Sequence, residues 1–575
     1  MLIAGLAGTQ FGCLREPPSP GEREERVVIL IESAPRELDP RYASDASSTK
    51  LTRLIHCSLF HVETEDVRPV PEAAQSLEPA CAEGVEGCRH WVVTLRPDIY
   101  WHDGVRVTAA DVLFTFRSII GARRASPFRG ELQRRIERIW EEDGKVHFQL
   151  QTPYATFPVD LAIGLVPEHV LAPRGGLDGE FGDNVVGCGP YSLHSRYRDQ
   201  KIILERSEFH FEKVEPRYVE VRTLPDEATR VLSIMGGSGD ILVNALSPPV
   251  VRTLEEKGNV QVLHRPAACT TYLAFNLLDD RLADRRVRKA MALGIDRNSI
   301  VREQFRGMAV VADSIIPPLH WAAGGELERH SYDPDEARRL LDAAGLPVDP
   351  ETGFRYSLTL KVTTDFFRKN IGALIAYRLG EIGVKVELLP LELSTFLADV
   401  RQGNFELYIL QLPQIIDPDI LRWLLYSQAA PVLTPQPDKS SFGTFDRRFF
   451  PPRFEEVAGP FGEECQRRWI PLVQEQAAEN ILRDAFGLPV SIGNGNRSFY
   501  ANPELDCLLD LGSLTMTESA RMPYYERAQA IISHDLPILP LWHEDNVAVL
   551  RTGIRGYHLL PLNRYGPVTA VVRTP

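Results

Sequence analysis

The chain has 575 residues, 25% of them charged and 44% apolar, with a formal net charge of −14. That balance carries ample apolar content for a core and excludes a disordered chain, a coiled coil or a collagen-like fibre. The acidic excess argues against nucleic acid or an anionic membrane surface as partner, and no apolar run reaches bilayer-spanning length.

Residues 1–12, MLIAGLAGTQFG, are small or apolar and end at Cys13, after which come Pro17, Pro18, Pro20 and the run GEREER. This segment resembles the end of a bacterial lipoprotein signal. It makes Cys13 the expected acylated residue and the rest of 1–25 a signal remnant and tether. The β-branched run at 26–31 predicts a strand, and Leu38-Asp39-Pro40 a turn. Residues 47–60 have helical spacing of Leu51, Leu54, Ile55 and Leu59. His90–Leu95 alternates as a strand, and Asp103-Gly104 is a turn. Thr108 and Asp111 form a capping box ahead of Val112, Phe114, Phe116 and Ile119. Further strands are expected at 145–150 and 201–205.

The second half alternates more regularly. Asp284–Ile295 places Val287, Met291 and Ile295 on one helical face. Asp333 caps a helix with Pro334 at its first position and a stop at Gly345. A strand at 356–362, a helix at 368–382 and a strand from Val384 to Leu389 give the β–α–β order of an α/β lobe. Residues 429–489 are rich in Pro and Phe, and only from Ile470 do they show helical spacing. They read as an ordered, lid-like insertion at the cleft mouth or the outer rim of the second lobe.

There are eight cysteines. Cys81 and Cys88 flank a short segment rich in Glu and Gly, a spacing that suits a small disulfide loop better than zinc. The others stand singly in apolar surroundings and are expected as buried thiols. No phosphate-cradling loop, G-x-G-x-x-G or G-x-S-x-G elbow occurs. His543-Glu544 lacks the second histidine of a zinc protease. The spacing of His56 and His61 does not put both on one helical face, and Asp279-Asp280 reads as a solvated turn. No catalytic residue, metal or cofactor is therefore assigned.

Several segments, in order, carry a resemblance. They are Trp101-His102-Asp103-Gly104 with Thr108-Ala109-Ala110-Asp111-Val112; Gly187-Cys188-Gly189-Pro190-Tyr191; and Val287-Arg288-Lys289-Ala290 with Ile295-Asp296-Arg297. Tyr332-Asp333-Pro334 through Gly345, Asp417-Pro418 and Pro537-Ile538-Leu539-Pro540-Leu541 complete the series. Together they resemble the extracellular solute-binding proteins of family 5, the oligopeptide-, dipeptide- and nickel-binding proteins of ABC importers, over roughly 26–575. Most of these motifs are structural. Gly187 and Gly189 are read as a tight turn before a strand. Cys188 stands where the family usually has Thr, which loses a hydroxyl partner. Arg288 and Arg297 are read as surface or lobe-packing charges.

The resemblance implies an α/β, two-lobed periplasmic-binding-protein-like fold of the class II, cluster C type, with an inserted subdomain. The first lobe would combine 26–55, 185–268 and 541–575, with 56–184 inserted; the second would be 269–540. The hinge strands would be Thr271–Phe275 and Leu541–Val549. The ligand would meet Glu32, Asn276, Gln411, Leu412, Gln414, Asp417 and Trp423. In the family's peptide binders an Asp three residues before the acid-Pro pair fixes the ligand's α-ammonium; here that place holds Gln414, and Pro413 removes one backbone donor. The implied role is capture of a peptide or other small polar solute and delivery to an ABC-type permease. The protein would be a monomer in the periplasm or on the outer face of a bacterial cytoplasmic membrane, held by lipid alone. A ligand-binding sensor or scaffold of the same fold without a transport role is the alternative.

Overall fold

The computed structural model describes residues 25–81, 87–182, 184–427, 461–465, 467 and 495–574. Strand β1 (Arg26–Ile31) opens the fold. Residues 56–184 hold a short pair, β2 (Phe60–His61) and β3 (Val70–Pro71), and a four-stranded antiparallel sheet. That sheet consists of β4 (Ala74–Pro79), β5 (His90–Leu95), β6 (Ile136–Glu142) and β7 (Lys145–Leu150), in the order β4-β5-β7-β6. The chain returns through β8 (Tyr191–Tyr197), β9 (Lys201–Arg206), β10 (Tyr218–Thr223), β11 (Ile241–Val243) and β12 (Val260–Pro266). It continues with β13 (Thr270–Phe275), β14 (Ala309–Val311), β15 (Tyr356–Thr363), β16 (Val384–Leu391) and β17 (Leu407–Leu412), and crosses back in β18 (Ile538–Arg551).

One 12-stranded sheet, ordered β16-β15-β17-β13-β18-β11-β1-β10-β9-β8, runs through both halves, with β12 and β14 also on β18. β1 lies between parallel neighbours β10 and β11 and is buried throughout, which is why its sequence is a continuous apolar run rather than an alternating one. β15 and β16 are likewise parallel, joined by the helix Phe366–Glu381. β18 bridges the halves. Its first part, Ile538–Trp542, pairs with β13, and its second, Asp545–Arg551, with β12. One apolar core combines side chains from Val27 to Val243 with Ala548 to Val571, and two others lie between Tyr272 and Trp542.

Local signals explain most element starts. Asp45, Asp284 and Asp333 each accept a backbone N–H at the first turn of the following helix, and Thr108 with Asp111 closes the expected box before Ala109–Gly121. Gly345 ends its helix region at φ +78°.

Several expectations are corrected. The helix expected over 47–60 ends at Ile55, because His56 turns extended and the chain enters a β-bridge at Ser58. Gly187 and Gly189 do not sit at positive φ. They are glycines because a Cβ would stand 1.9 Å from the Ile55 carbonyl oxygen at the first and 2.7 Å from that of Leu54 at the second. The single buried thiols are mostly disulfides. Cys57 bonds Cys188 and Cys465 bonds Cys507, as Cys81 bonds Cys88; Cys269 stays free and buried. Cys188 therefore replaces a lost hydroxyl partner with a covalent one. Of the two readings of Arg288 and Arg297, surface or lobe-packing charges, the second holds. Both are buried, and their guanidinium groups donate to backbone carbonyls of Leu282 and Leu536, and of Ala312, Pro540 and His330.

Cys13 lies outside the described residues, as does most of 429–489. From that insertion, the short piece at 461–465 is described. Phe461 packs on Tyr524, and Cys465 is bonded to Cys507 in the helix Pro503–Leu514.

Candidate functional site

The segment after β17 carries the predicted ligand residues to the junction of the two halves. Pro413 breaks the ladder, Ile415 donates its N–H to the Ala268 carbonyl at the strand crossing, and Gln414 between them faces the first half. There its Oε1 accepts a hydrogen bond of 2.8 Å from Nη2 of Arg564. Arg564 belongs to the first half's C-terminal stretch, where Asn563-Arg564-Tyr565 interrupts the apolar run Leu559–Leu562.

Arg564 Nε and Nη1 are buried and have no hydrogen-bond partner among the described residues, and neither does Oδ1 of Asn563. A buried polar group left unpaired costs about 1–3 kcal/mol, and more when charged. Burial lowers the guanidinium's affinity for its proton; Glu63 opposes the effect, and Arg53 reinforces it. Glu63 is itself committed to Arg53 at 3.0 Å.

Lys50, on the helix Ala46–Ile55, reaches the same place. Its Nζ lies 5.3 Å from the centre of the Tyr565 ring, a cation–π contact. Its ammonium is brought down to about 8, chiefly by burial, with Glu32 opposing the shift and Arg564 adding to it. Glu32 is exposed just past the carboxyl end of β1. No ion pair joins it to Lys50 among the described residues.

The other predicted ligand residues fall elsewhere. Gln411 sits in β17 opposite Thr271, with its amide nitrogen 3.8 Å from Cys269 Sγ. Leu412 is buried opposite Thr270. Asn276 is spent within the second half: its amide donates to the carbonyls of Gly403 and Phe405, and its oxygen accepts from Leu278 N–H. Trp423 is half-buried in the helix Ile420–Leu425, with the Arg497 guanidinium 5.5 Å from its ring and its carbonyl crowding Gly495.

Asp417 is taken by Arg521, whose Nη1 and Nη2 donate to its two oxygens at 2.9 and 2.6 Å. Arg521 also donates to the Gly512 carbonyl and reaches Thr156 Oγ1, in the first half, at 3.4 Å. Beside it Tyr154 donates to Asp419 across the same junction at 3.3 Å, and Ala155 N–H donates to the Ser513 carbonyl. Burial pushes the Asp419 carboxyl up to about 6, with Arg422 opposing and Asp417 adding to the shift. A small apolar cluster, Val62, Val67, Ala268 and Leu562 with Leu319 and Ile416, completes the junction.

A family model for bacterial extracellular solute-binding proteins, family 5 (middle region), matches residues 68–431, more than half of the chain. The chain belongs to this family. The dipeptide-binding protein of Escherichia coli K12 is 23% identical over 414 residues, covering 66% of this chain and 74% of the relative. Among solved structures, NikZ from Campylobacter jejuni in complex with Ni(L-His) superposes with a TM-score of 0.73 at 19% identity, covering 96% of this chain and 100% of that one. AppA from Bacillus subtilis in complex with a nonapeptide gives 0.72 at 18% identity, covering 96% and 99%. As a family 5 member the chain is a solute-binding protein with the two-lobed fold, and the junction just described lies between its lobes. Within that frame, sequence reasoning named Glu32 and Gln414 as ligand residues but missed Lys50 and Arg564. A signal existed for Arg564, a polar triplet inside an apolar run; Lys50 had none, because one lysine on an amphipathic helix is the commonest of surface features.

Proposed function

We propose that this protein captures a small polar solute between its lobes and delivers it to an ABC-type permease, with no catalytic step, and that the solute is not an ordinary peptide with a free N-terminus. Membership of family 5 supports the transport role, and the named peptide specificity of relatives such as the E. coli dipeptide-binding protein supports the cleft as the capture site. The observation that carries the specificity is the bond between Gln414 and Arg564. Where a carboxylate would hold an α-ammonium, this chain has a neutral amide already paired with a cation. Enclosing a second cation there without a counter-ion would cost several kcal/mol. Calorimetry against a mixed di- to pentapeptide pool, with and without N-acetylation, tests this. No micromolar binding is expected from the free-amine pool; micromolar binding that disappears on acetylation overturns the reading.

The reading extends to location. Cys13, after its small and apolar stretch, supports a lipid-anchored monomer on the outer face of a bacterial cytoplasmic membrane or in the periplasm. Palmitate-analogue label is expected in the membrane fraction of the native host and should vanish in Cys13→Ser. Unchanged labelling of that variant removes the anchor from the proposal. The lobe limits given above, with the hinge strands at Thr271–Phe275 and Leu541–Val549, belong to the same proposal.

A further inference from the structure

We infer that Lys50 and Arg564, beside the Asn563 amide, form a seat for a compact oxyanion group of the solute, a carboxylate or a phosphate monoester. This rests on the solute-binding reading and adds the ligand's charge class to it.

Three observations converge on the seat. Arg564 is held in place from one side only: Nη2 is bound to Gln414 at 2.8 Å, while Nε and Nη1 are buried with no partner among the described residues. Native proteins leave few buried polar groups unpaired, and such groups call for a partner that arrives from outside. Lys50 Nζ adds a second cation at the same place, held on the Tyr565 ring and making no hydrogen bond or ion pair among the described residues. Two cations brought together out of water repel, and Arg564 and burial both weaken the hold of Lys50 on its proton, against Glu32.

The nearby acids do not answer this pair. Glu63 is bound to Arg53; Glu72 accepts from Arg53 and from Ser58; Glu32 is exposed to solvent. An oxyanion would satisfy the open guanidinium N–H groups and the ammonium together, through the charge-assisted bonds that are roughly twice as strong as neutral ones. Gln414 then has a definite role. As an amide it orients Arg564 without neutralising it, whereas Asp at that position would form an ion pair and close the seat.

The test uses the full purified chain and two matched pairs of probes: N-acetylglycine against N-acetylglycinamide, and glucose 6-phosphate against glucose. Affinities are read by calorimetry at probe concentrations into the millimolar range and constant ionic strength. At least one anionic probe is expected to bind tenfold or more tightly than its neutral partner. Which pair shows the preference separates carboxylate from phosphate. Arg564→Gln and Lys50→Met should each abolish the preference, while Lys385→Gln, on an exposed part of β16, should leave it intact. Far-ultraviolet circular dichroism confirms that each variant is folded, and Lys50→Met stands in if Arg564→Gln is not. Absence of an anionic preference in both pairs overturns the inference, as does a preference that survives both substitutions. Gln414→Asp gives a second reading and should lower anion affinity. The peptide calorimetry above can fail or succeed independently of these results, because it reads an ammonium and these pairs read an anion.

Discussion

Replacing both Cys57 and Cys188 with alanine is expected to destabilise the first lobe by about 5 kcal/mol, the chain-entropy value for a cross-link of sequence separation 131. The size follows from where the bond sits. The chain leaves the first lobe at His56, builds the inserted subdomain with its sheet of β4, β5, β6 and β7, and comes back at Gly187. Cys57 and Cys188 lie at the two ends of that excursion and tie them together, so reduction releases the whole subdomain loop into the unfolded ensemble. Close packing at the neck adds to the cost, since Gly187 and Gly189 rest on the carbonyls of Ile55 and Leu54. By the same relation the bond between Cys465 and Cys507 contributes about 4 kcal/mol and that between Cys81 and Cys88 about 2.5 kcal/mol. Differential scanning calorimetry of the double-alanine variant should lower the first-lobe transition by about 10 °C. Adding reductant to the native protein should remove most of that difference. A shift under about 1 °C with the free thiols of the native protein blocked would show that packing alone holds the neck.

Arg521→Met is the second large effect, expected at about 3–5 kcal/mol. The substitution keeps most of the side-chain volume and removes the charge, which leaves the largely buried Asp417 carboxylate without its cation. It also strips a donor from the Gly512 carbonyl and from Tyr525, and removes the guanidinium packed 5.2 Å from the Trp321 ring. Breaking a buried pair costs more than the pair itself is worth, because the stranded charge pays its desolvation unaided. Asp417→Asn in the same chain should therefore recover about half of the loss or more. Urea denaturation followed by tryptophan fluorescence measures both variants. If the double variant is no more stable than Arg521→Met, the penalty comes from the lost carbonyl and ring contacts and not from the stranded carboxylate. Arg521 also reaches Thr156 across the junction, so the single variant should loosen the lobe contact made there with Tyr154 and Asp419.

The two cases differ in how far they could be foreseen. The cysteines are plain in the sequence, but only Cys81 and Cys88 are close enough along the chain for spacing to suggest their bond. Cys57 and Cys188 stand far apart and meet because the inserted subdomain begins and ends at one neck. Arg521 and Asp417 are separated by the insertion and by the helix Pro503–Leu514. Nothing local marks them as partners.

Local physics made a large share of the architecture legible. The capping box at Thr108 and Asp111 and the Asp333-Pro334 helix start depend on contacts between residues near in sequence, the apolar run of β1 and the strand–helix–strand order of β15 and β16 on local composition and periodicity, and all four are present where the sequence puts them. The ordered motifs carried the family. Tertiary structure alone decided the charge of the candidate site. Gln414 shows in the sequence that an acid is missing, but that Arg564 stands against it, with Lys50 on Tyr565 beside it, follows from a strand that crosses between lobes and returns the C-terminal stretch to a helix near the start of the chain. A side chain's burial and partners are set by whatever the fold brings to it from afar. That is also why Asn276 and Asp417, polar residues in promising places, turned out to be held by their own lobe.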